Sequence, residues 1–160
     1  MKKEIIDNYC SQEYFDKLSE IVLSPDFPWF YQDTVSGPSN NDDFYFTHCV
    51  YKHHRITSEL YDMLIPLFES IQIKSLIRVK FNLYPNLGTE ITNDPHIDYE
   101  FQHNGAILYL NTNNGFTVLE DGERISSIKN RLLLFDASKK HYSTHCTDKK
   151  IRVNMNINYF

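Results

Sequence analysis

Residues 76–84 read Leu76-Ile77-Arg78-Val79-Lys80-Phe81-Asn82-Leu83-Tyr84, and residues 151–158 read Ile151-Arg152-Val153-Asn154-Met155-Asn156-Ile157-Asn158. Both alternate with a period of 2, so each is a strand with one apolar and one polar face. The polar faces either meet water, as in a half-exposed antiparallel sheet, or line a polar cavity between two sheets. Three asparagines in a row at period 2 lean toward the cavity, because Asn is a poor strand former on an ordinary solvent face.

Working outward, short apolar runs at about 105–110, 116–119 and 131–135 are separated by Asn114-Gly115 and Asp121-Gly122, and Thr147-Asp148 precedes the last strand. These are turn signals between strands. A strand is also expected over 44–51. Upstream the period is 3.6. Ser11 caps a helix whose apolar stripe is Tyr14, Phe15, Leu18, Ile21 and Val22. Thr57 caps a second helix running to about Gln72, with Leu60, Tyr61, Leu64, Leu67, Phe68 and Ile71 buried and Pro66 kinking or ending it. Residues 24–43, with Pro25, Pro28, Gly37, Pro38 and an Asn/Asp cluster, are loop. The fold class is mostly β with N-terminal helices, the strands forming a sandwich or barrel. The expected organisation is one domain over 1–160, helical support over about 1–72 and a β core over about 73–160.

Composition bounds the function. The 160 residues carry 16 Lys+Arg against 21 Asp+Glu, a net charge of −5. That balance argues against nucleic acid as a partner, since phosphate binding wants clustered cations. No apolar run reaches the ~18–20 residues of a membrane span. Cys10, Cys49 and Cys146 are odd in number and far apart, which fits reduced thiols in an intracellular, cytoplasmic protein. The sequence has no G-x-G-x-x-G, P-loop or G-x-S-x-G signature.

Among seven histidines, His96 stands out, in Asp94-Pro95-His96-Ile97-Asp98. In an extended segment His96 and Asp98 point to the same side, ~6.6 Å apart. A third ligand from elsewhere completes a two-histidine, one-carboxylate triad with open positions, the set of non-haem Fe(II) oxygenases. His141 and His145 are the candidates. A hairpin turning at Thr147-Asp148 pairs 143 with 152 and 141 with 154, so His141 and Arg152 face one side roughly 8 Å apart. His145 falls ~13 Å further along, as a rim or surface histidine. His48, His53, His54 and His103 are expected on the surface.

Tyr84-Pro85…Gly88, His96-Ile97-Asp98, Tyr109-Leu110-Asn111, Asn114-Gly115-Phe116-Thr117, the run Arg131–Asp136, His141 and Arg152 occur in this order. The set resembles the Fe(II)- and 2-oxoglutarate-dependent oxygenases, in the prolyl 4-hydroxylase-like branch and in the compact form of bacterial and bacteriophage members. The resemblance implies a double-stranded β-helix, or jelly roll. It implies His96, Asp98 and His141 as metal ligands and catalytic centre, and Fe(II), 2-oxoglutarate and O2 as cofactor and cosubstrates. Arg152 matches the residue that pairs with the distal carboxylate of 2-oxoglutarate, Tyr109 its hydrogen-bonding tyrosine, and Tyr84 and Thr117 further residues of that pocket. The glycine pair usual before the threonine is Asn114-Gly115 here, and Asn158 stands where several relatives carry Trp.

The implied activity is hydroxylation of a C–H bond, a prolyl residue in a peptide first, with release of succinate and CO2. Arg152 suits the role because a guanidinium is always charged and meets a carboxylate through two donors. Parity puts Asn82, Lys80 and Arg78 on the face of Tyr84, so the expected partner is a peptide or small polar substrate, including one with negative charge. Alternatively Arg78 and Lys80 lie past the barrel's end and meet solvent. Two competing classes are a cupin-like metal hydrolase and a non-catalytic β-sandwich binding module.

Overall fold

The computed structural model describes residues 3–35 and 44–160. The Gly37-Pro38 turn signal and the Asn/Asp cluster at 40–43 lie outside the described residues. Along the chain run β1 (Glu4–Ile6), α1 (Gln12–Val22), β2 (Phe30–Gln32), β3 (Tyr45–Lys52), β4 (Arg55–Ile56), α2 (Tyr61–Ile71) and β5 (Leu76–Pro85). There follow β6 (Asn104–Tyr109), β7 (Phe116–Leu119), β8 (Arg124–Ser126), β9 (Leu132–Asp136), β10 (His141–Ser143) and β11 (Ile151–Tyr159).

Helix α1 starts where its cap predicts: the Ser11 hydroxyl accepts the Tyr14 N–H at 3.4 Å. It buries Phe15, Leu18 and Val22. Helix α2 starts four residues after Thr57, because Thr57 closes the β3–β4 hairpin instead. Its N–H donates to the Val50 carbonyl at 2.9 Å, and its hydroxyl to the Cys49 carbonyl at 2.9 Å. The hairpin turns at His53 and His54, both exposed as expected and both with positive φ. Pro66 neither ends nor replaces the helix, which runs on to Ile71. The ring removes one backbone donor, and the buried Leu64, Leu67 and Phe68 outweigh that loss. Gln72, left-handed at φ 62°, stops the helix.

The strands form two sheets. The larger has the order β1-β9-β6-β11-β5-β3-β2, with β4 on the edge of β3. The smaller has the order β10-β7-β8. Two isolated bridges, Thr92 to Thr144 and His96 to His141, lay the extended segment 92–98 along β10 as a fourth ribbon. Within the β core, the major sheet takes β5, β6, β9 and β11, and the chain passes to the other sheet between them. This is the alternation of a double-stranded β-helix.

β11 has both edges paired, with β5 on one side and β6 on the other. Its two faces are both buried but different in kind. Val153, Met155 and Ile157 join the apolar core under α1 and α2, while Arg152, Asn154, Asn156 and Asn158 face the gap between the sheets and are also buried. The polar face therefore lines a cavity and does not meet water. A slip of one residue would exchange the faces, losing ~1.5–3 kcal/mol for each apolar side chain and burying an arginine in hydrocarbon.

The hairpin expected at Thr147-Asp148 does not form. β10 pairs with β7, His141 opposite Leu119, since β11 has no free edge for it. His141 and Arg152 nevertheless face one space, because the two sheets face each other across it. No helix among the described residues is long and apolar enough to cross a membrane.

Candidate active site

The cavity between the sheets is lined by Tyr84, His96, Thr117, His141, Asn154 and Asn156, among others. At one end the main chain sets two imidazoles side by side. The His96 N–H donates to the His141 carbonyl at 3.0 Å and the His141 N–H to the His96 carbonyl at 2.9 Å. The ring centres are 4.8 Å apart. Each ring is oriented by its own loop: His96 Nδ1 lies 3.1 Å from the Asp94 carbonyl, and His141 Nδ1 3.0 Å from the Lys139 carbonyl. A carbonyl can only accept, so Nδ1 carries the proton and Nε2 is left as a ligand. Burial pushes the His141 pKa down, against the pull of Asp98, and keeps that lone pair available.

Asp98 completes the cluster. The ligand atoms of His96, Asp98 and His141 all lie within 4.8 Å of one another, and Asp98 Oδ2 is 3.7 Å from His141 Nε2. Oδ1 is held by Arg78 Nη2 at 2.6 Å, and Oδ2 accepts from Asn158 at 2.8 Å and from Asn156 at 3.5 Å. Burial alone would push this carboxyl's pKa up, but Arg78, His141 and Asn158 hold it well below the usual carboxylate range. Two neutral imidazoles and one ionised carboxylate, each oriented by a second partner, fit a divalent transition metal.

At the other end sits Arg152, fully buried. Its Nε donates to Ser127 Oγ at 2.8 Å and its Nη2 to Thr117 Oγ1 at 3.1 Å. Its Nη1 is buried and has no hydrogen-bond partner among the described residues. The guanidinium lies 5.2 Å from the Tyr84 ring and 5.8 Å from the Tyr109 ring, and the Tyr109 hydroxyl bonds Thr117 at 2.8 Å. Burial raises the pKa of both tyrosines, so they are neutral donors. Gly115 makes room: a Cβ there would stand 2.7 Å from Arg152 Cδ and 3.3 Å from its Nε. The second residue of the Asn114-Gly115 pair is thus a condition for the arginine's placement. A buried cation with one unused donor and hydroxyl groups beside it fits the carboxylate of a dicarboxylic acid.

The structure thus brings His96, Asp98 and His141 together, and Tyr84, Tyr109, Thr117 and Arg152 together. Three histidines depart from expectation. His145 is buried, not at the rim, with Nδ1 2.8 Å from the Pro85 carbonyl. His48 is buried between the Pro28 carbonyl at 2.9 Å and Ser58 Oγ at 2.7 Å. His103 is buried beside Asn158. Each pairs with partners that leave no periodic trace in the sequence. Arg78, Asn158 and Ser127 hold site residues in place, roles the sequence did not show. Arg78 and Asn158 sit on the cavity-facing parity, which was the usable signal. Ser127 follows β8 in a loop and had none. Cys10, Cys49 and Cys146 are free thiols.

No protein-family model matches the sequence, and no curated protein matches it. Solved structures do resemble it in fold. A prolyl hydroxylase from Trichoplax adhaerens, in complex with a hypoxia inducible factor oxygen degradation domain peptide fragment, matches with TM-score 0.69 at 13% identity, over 99% of this chain and 83% of that one. A viral collagen prolyl hydroxylase from Paramecium Bursaria Chlorella virus-1, in its 2-oxoglutarate complex, gives 0.65 at 12% identity over 99% and 94%. A 2-oxoglutarate-Fe(II) oxygenase family protein from Burkholderia pseudomallei gives 0.74 at 7% over 98% and 84%. The chain has the jelly-roll fold of the 2-oxoglutarate- and iron-dependent oxygenases, in the form seen in prolyl hydroxylases.

Proposed function

We propose that the protein is an Fe(II)- and 2-oxoglutarate-dependent dioxygenase that hydroxylates a C–H bond, with a prolyl residue in a peptide as the first substrate. The observation that carries this reading is the pairing of two unlike ends in one cavity. A three-ligand cluster lies at one end, and a buried arginine with a spare donor lies at the other. All of 1–160 forms the oxygenase domain in this reading, and its three free thiols suit an intracellular setting.

His96, Asp98 and His141 hold Fe(II), and the carbonyls of Asp94 and Lys139 keep both imidazoles in the ligating tautomer. Arg78 and Asn158 fix the Asp98 carboxylate so that it does not swing away from the metal. Arg152 Nη1 pairs with the distal carboxylate of 2-oxoglutarate, and the Tyr109 and Thr117 hydroxyls orient it. Bound there, iron and 2-oxoglutarate supply the oxidising power: O2 is consumed, 2-oxoglutarate becomes succinate and CO2, and one oxygen atom enters the substrate. The protein positions the reacting C–H bond and keeps bulk water from it. A cupin-like hydrolase or a binding module would leave the buried Arg152 without an anion to repay its desolvation.

Anaerobically purified protein given Fe(II), 2-oxoglutarate and 18O2 with proline-containing peptides tests the proposal. Succinate release and one 18O atom in the hydroxylated peptide are expected. Binding of 2-oxoglutarate with no succinate from any substrate would overturn the enzyme reading.

A further inference from the structure

The polar side of β5 runs from the Arg152 end to the level of the metal cluster, where Arg78 holds Asp98. Tyr84, Asn82, Lys80 and Arg78 stand opposite Arg152, Asn154, Asn156 and Asn158 of β11. Asn156 lines the cavity and bonds Asp98, so Lys80 is one strand away from a residue that touches a metal ligand. Two unused cationic donors meet here. Arg78 spends Nη2 on Asp98, but its Nε is buried and has no partner among the described residues. Among the described residues Lys80 Nζ has the Tyr45 hydroxyl, at 3.3 Å, and the Tyr45 ring, whose centre is 5.4 Å away.

The charge count is uneven. Among the described residues the titratable groups that act on Lys80 are Arg78, Asp98, the Cys49 thiol and Lys52, of which two are cations and one is a carboxylate. Two cations and one carboxylate thus surround a third cation, and that carboxylate is already held by Arg78. A partly buried ammonium with no anion of its own among the described residues carries an unrepaid desolvation cost. The metal ion would add further positive charge, which makes an anionic visitor more welcome. The 2-oxoglutarate carboxylates have their own places at Arg152 and at the metal, so the missing anion comes from another molecule.

We propose that Lys80, with the free Nε edge of Arg78, is a subsite for a carboxylate of the substrate. This rests on the dioxygenase reading for its choice of ligand. The carboxylate is either the α-carboxylate of a small free substrate or an acidic side chain beside the reacting residue of a peptide. Tyr45, which contacts Lys80 and stacks on Tyr84 at 5.5 Å between centroids, links this subsite to the 2-oxoglutarate pocket.

The test uses protein loaded with Mn(II) and saturating 2-oxoglutarate, and calorimetric titration of three matched pairs. Propionate against propionamide carries no prolyl scaffold. N-acetyl-L-proline against its amide probes a free α-carboxylate. Acetyl-prolyl-glutamate amide against acetyl-prolyl-glutamine amide probes an acidic side chain. At least one carboxylate should bind about ten-fold or more tighter than its amide, as expected for a charge-assisted pair. Lys80→Met should erase that preference, while Lys80→Arg keeps part of it. The prolyl pairs identify the source. Preference for propionate alone retains the subsite and removes the prolyl substrate. If no pair discriminates, or if discrimination survives in Lys80→Met, the subsite is wrong. The dioxygenase reading is judged separately, by whether 2-oxoglutarate binds the Mn(II) protein at all.

Discussion

The two ends of the cavity are held by different means. At the metal end the main chain sets the two histidines, through paired amides and two carbonyls that turn their rings, while Arg78 and Asn158 hold Asp98. At the arginine end side chains do the holding. Ser127 and Thr117 take two of the guanidinium's donors, two tyrosine rings flank it, and Gly115 leaves the space it fills. The difference teaches where each end is vulnerable. The histidine pair, set by the main chain, fails when a ligand is lost, whereas the packed arginine also fails when a neighbour grows.

Four expectations sharpen or break that contrast. The largest effect belongs to the ligands. His96→Ala, Asp98→Ala or His141→Ala should each abolish succinate formation and weaken Mn(II) binding by roughly 100-fold or more, beyond the cost of losing an outer partner. His145→Ala should keep the metal and lower the melting temperature, because a buried ring is removed. Loss of metal with His145→Ala but not with His141→Ala would overturn the ligand assignment. Next, Arg152→Ala should raise the 2-oxoglutarate requirement by about 10–100-fold while Mn(II) binding stays near wild type, since one charge-assisted pair is worth ~1.5–3 kcal/mol.

A subtler change should act through packing alone. Gly115→Ala adds one methyl against Arg152, an overpacking worth ~1–3 kcal/mol. It should raise the 2-oxoglutarate requirement about ten-fold with the metal site intact. Unchanged titrations would show that the arginine can move aside without loss. The smallest effect is on stability. Burial, helped by Arg78, lowers the Lys80 pKa from 10.5 to about 8. Between those values the unfolded chain binds more protons, so folding stability rises as pH climbs from about 8 toward 10.5. The gain should be on the order of 2 kcal/mol and absent in Lys80→Met. Denaturant midpoints measured across that range would show it, and parallel curves for the two proteins would contradict it.

Much of this was legible before any coordinates. The alternation in 76–84 and 151–158 marked the two central strands, and the asparagines on one face of the second marked the cavity. His96 and Asp98 were separated by the one spacing that lets an extended segment present both. What the sequence hid was long-range pairing. Nothing local says that β5 and β6 occupy both edges of β11, and so the strand carrying His141 was placed beside Arg152 when it lies across from it. The conclusion survived because facing sheets and paired strands both bring the two side chains to one space. The buried His48, His103 and His145 were hidden for another reason: their partners are main-chain carbonyls, a serine and an asparagine, which obey no period.

The claim that metal cluster and arginine are two ends of one binding site is tested most directly by titrating 2-oxoglutarate into the protein with and without Mn(II). One molecule per chain is expected to bind the Mn(II) form, with affinity falling sharply when the metal is withheld and falling again in Arg152→Ala. Equal affinity with and without metal, or no binding to the Mn(II) form, would contradict it.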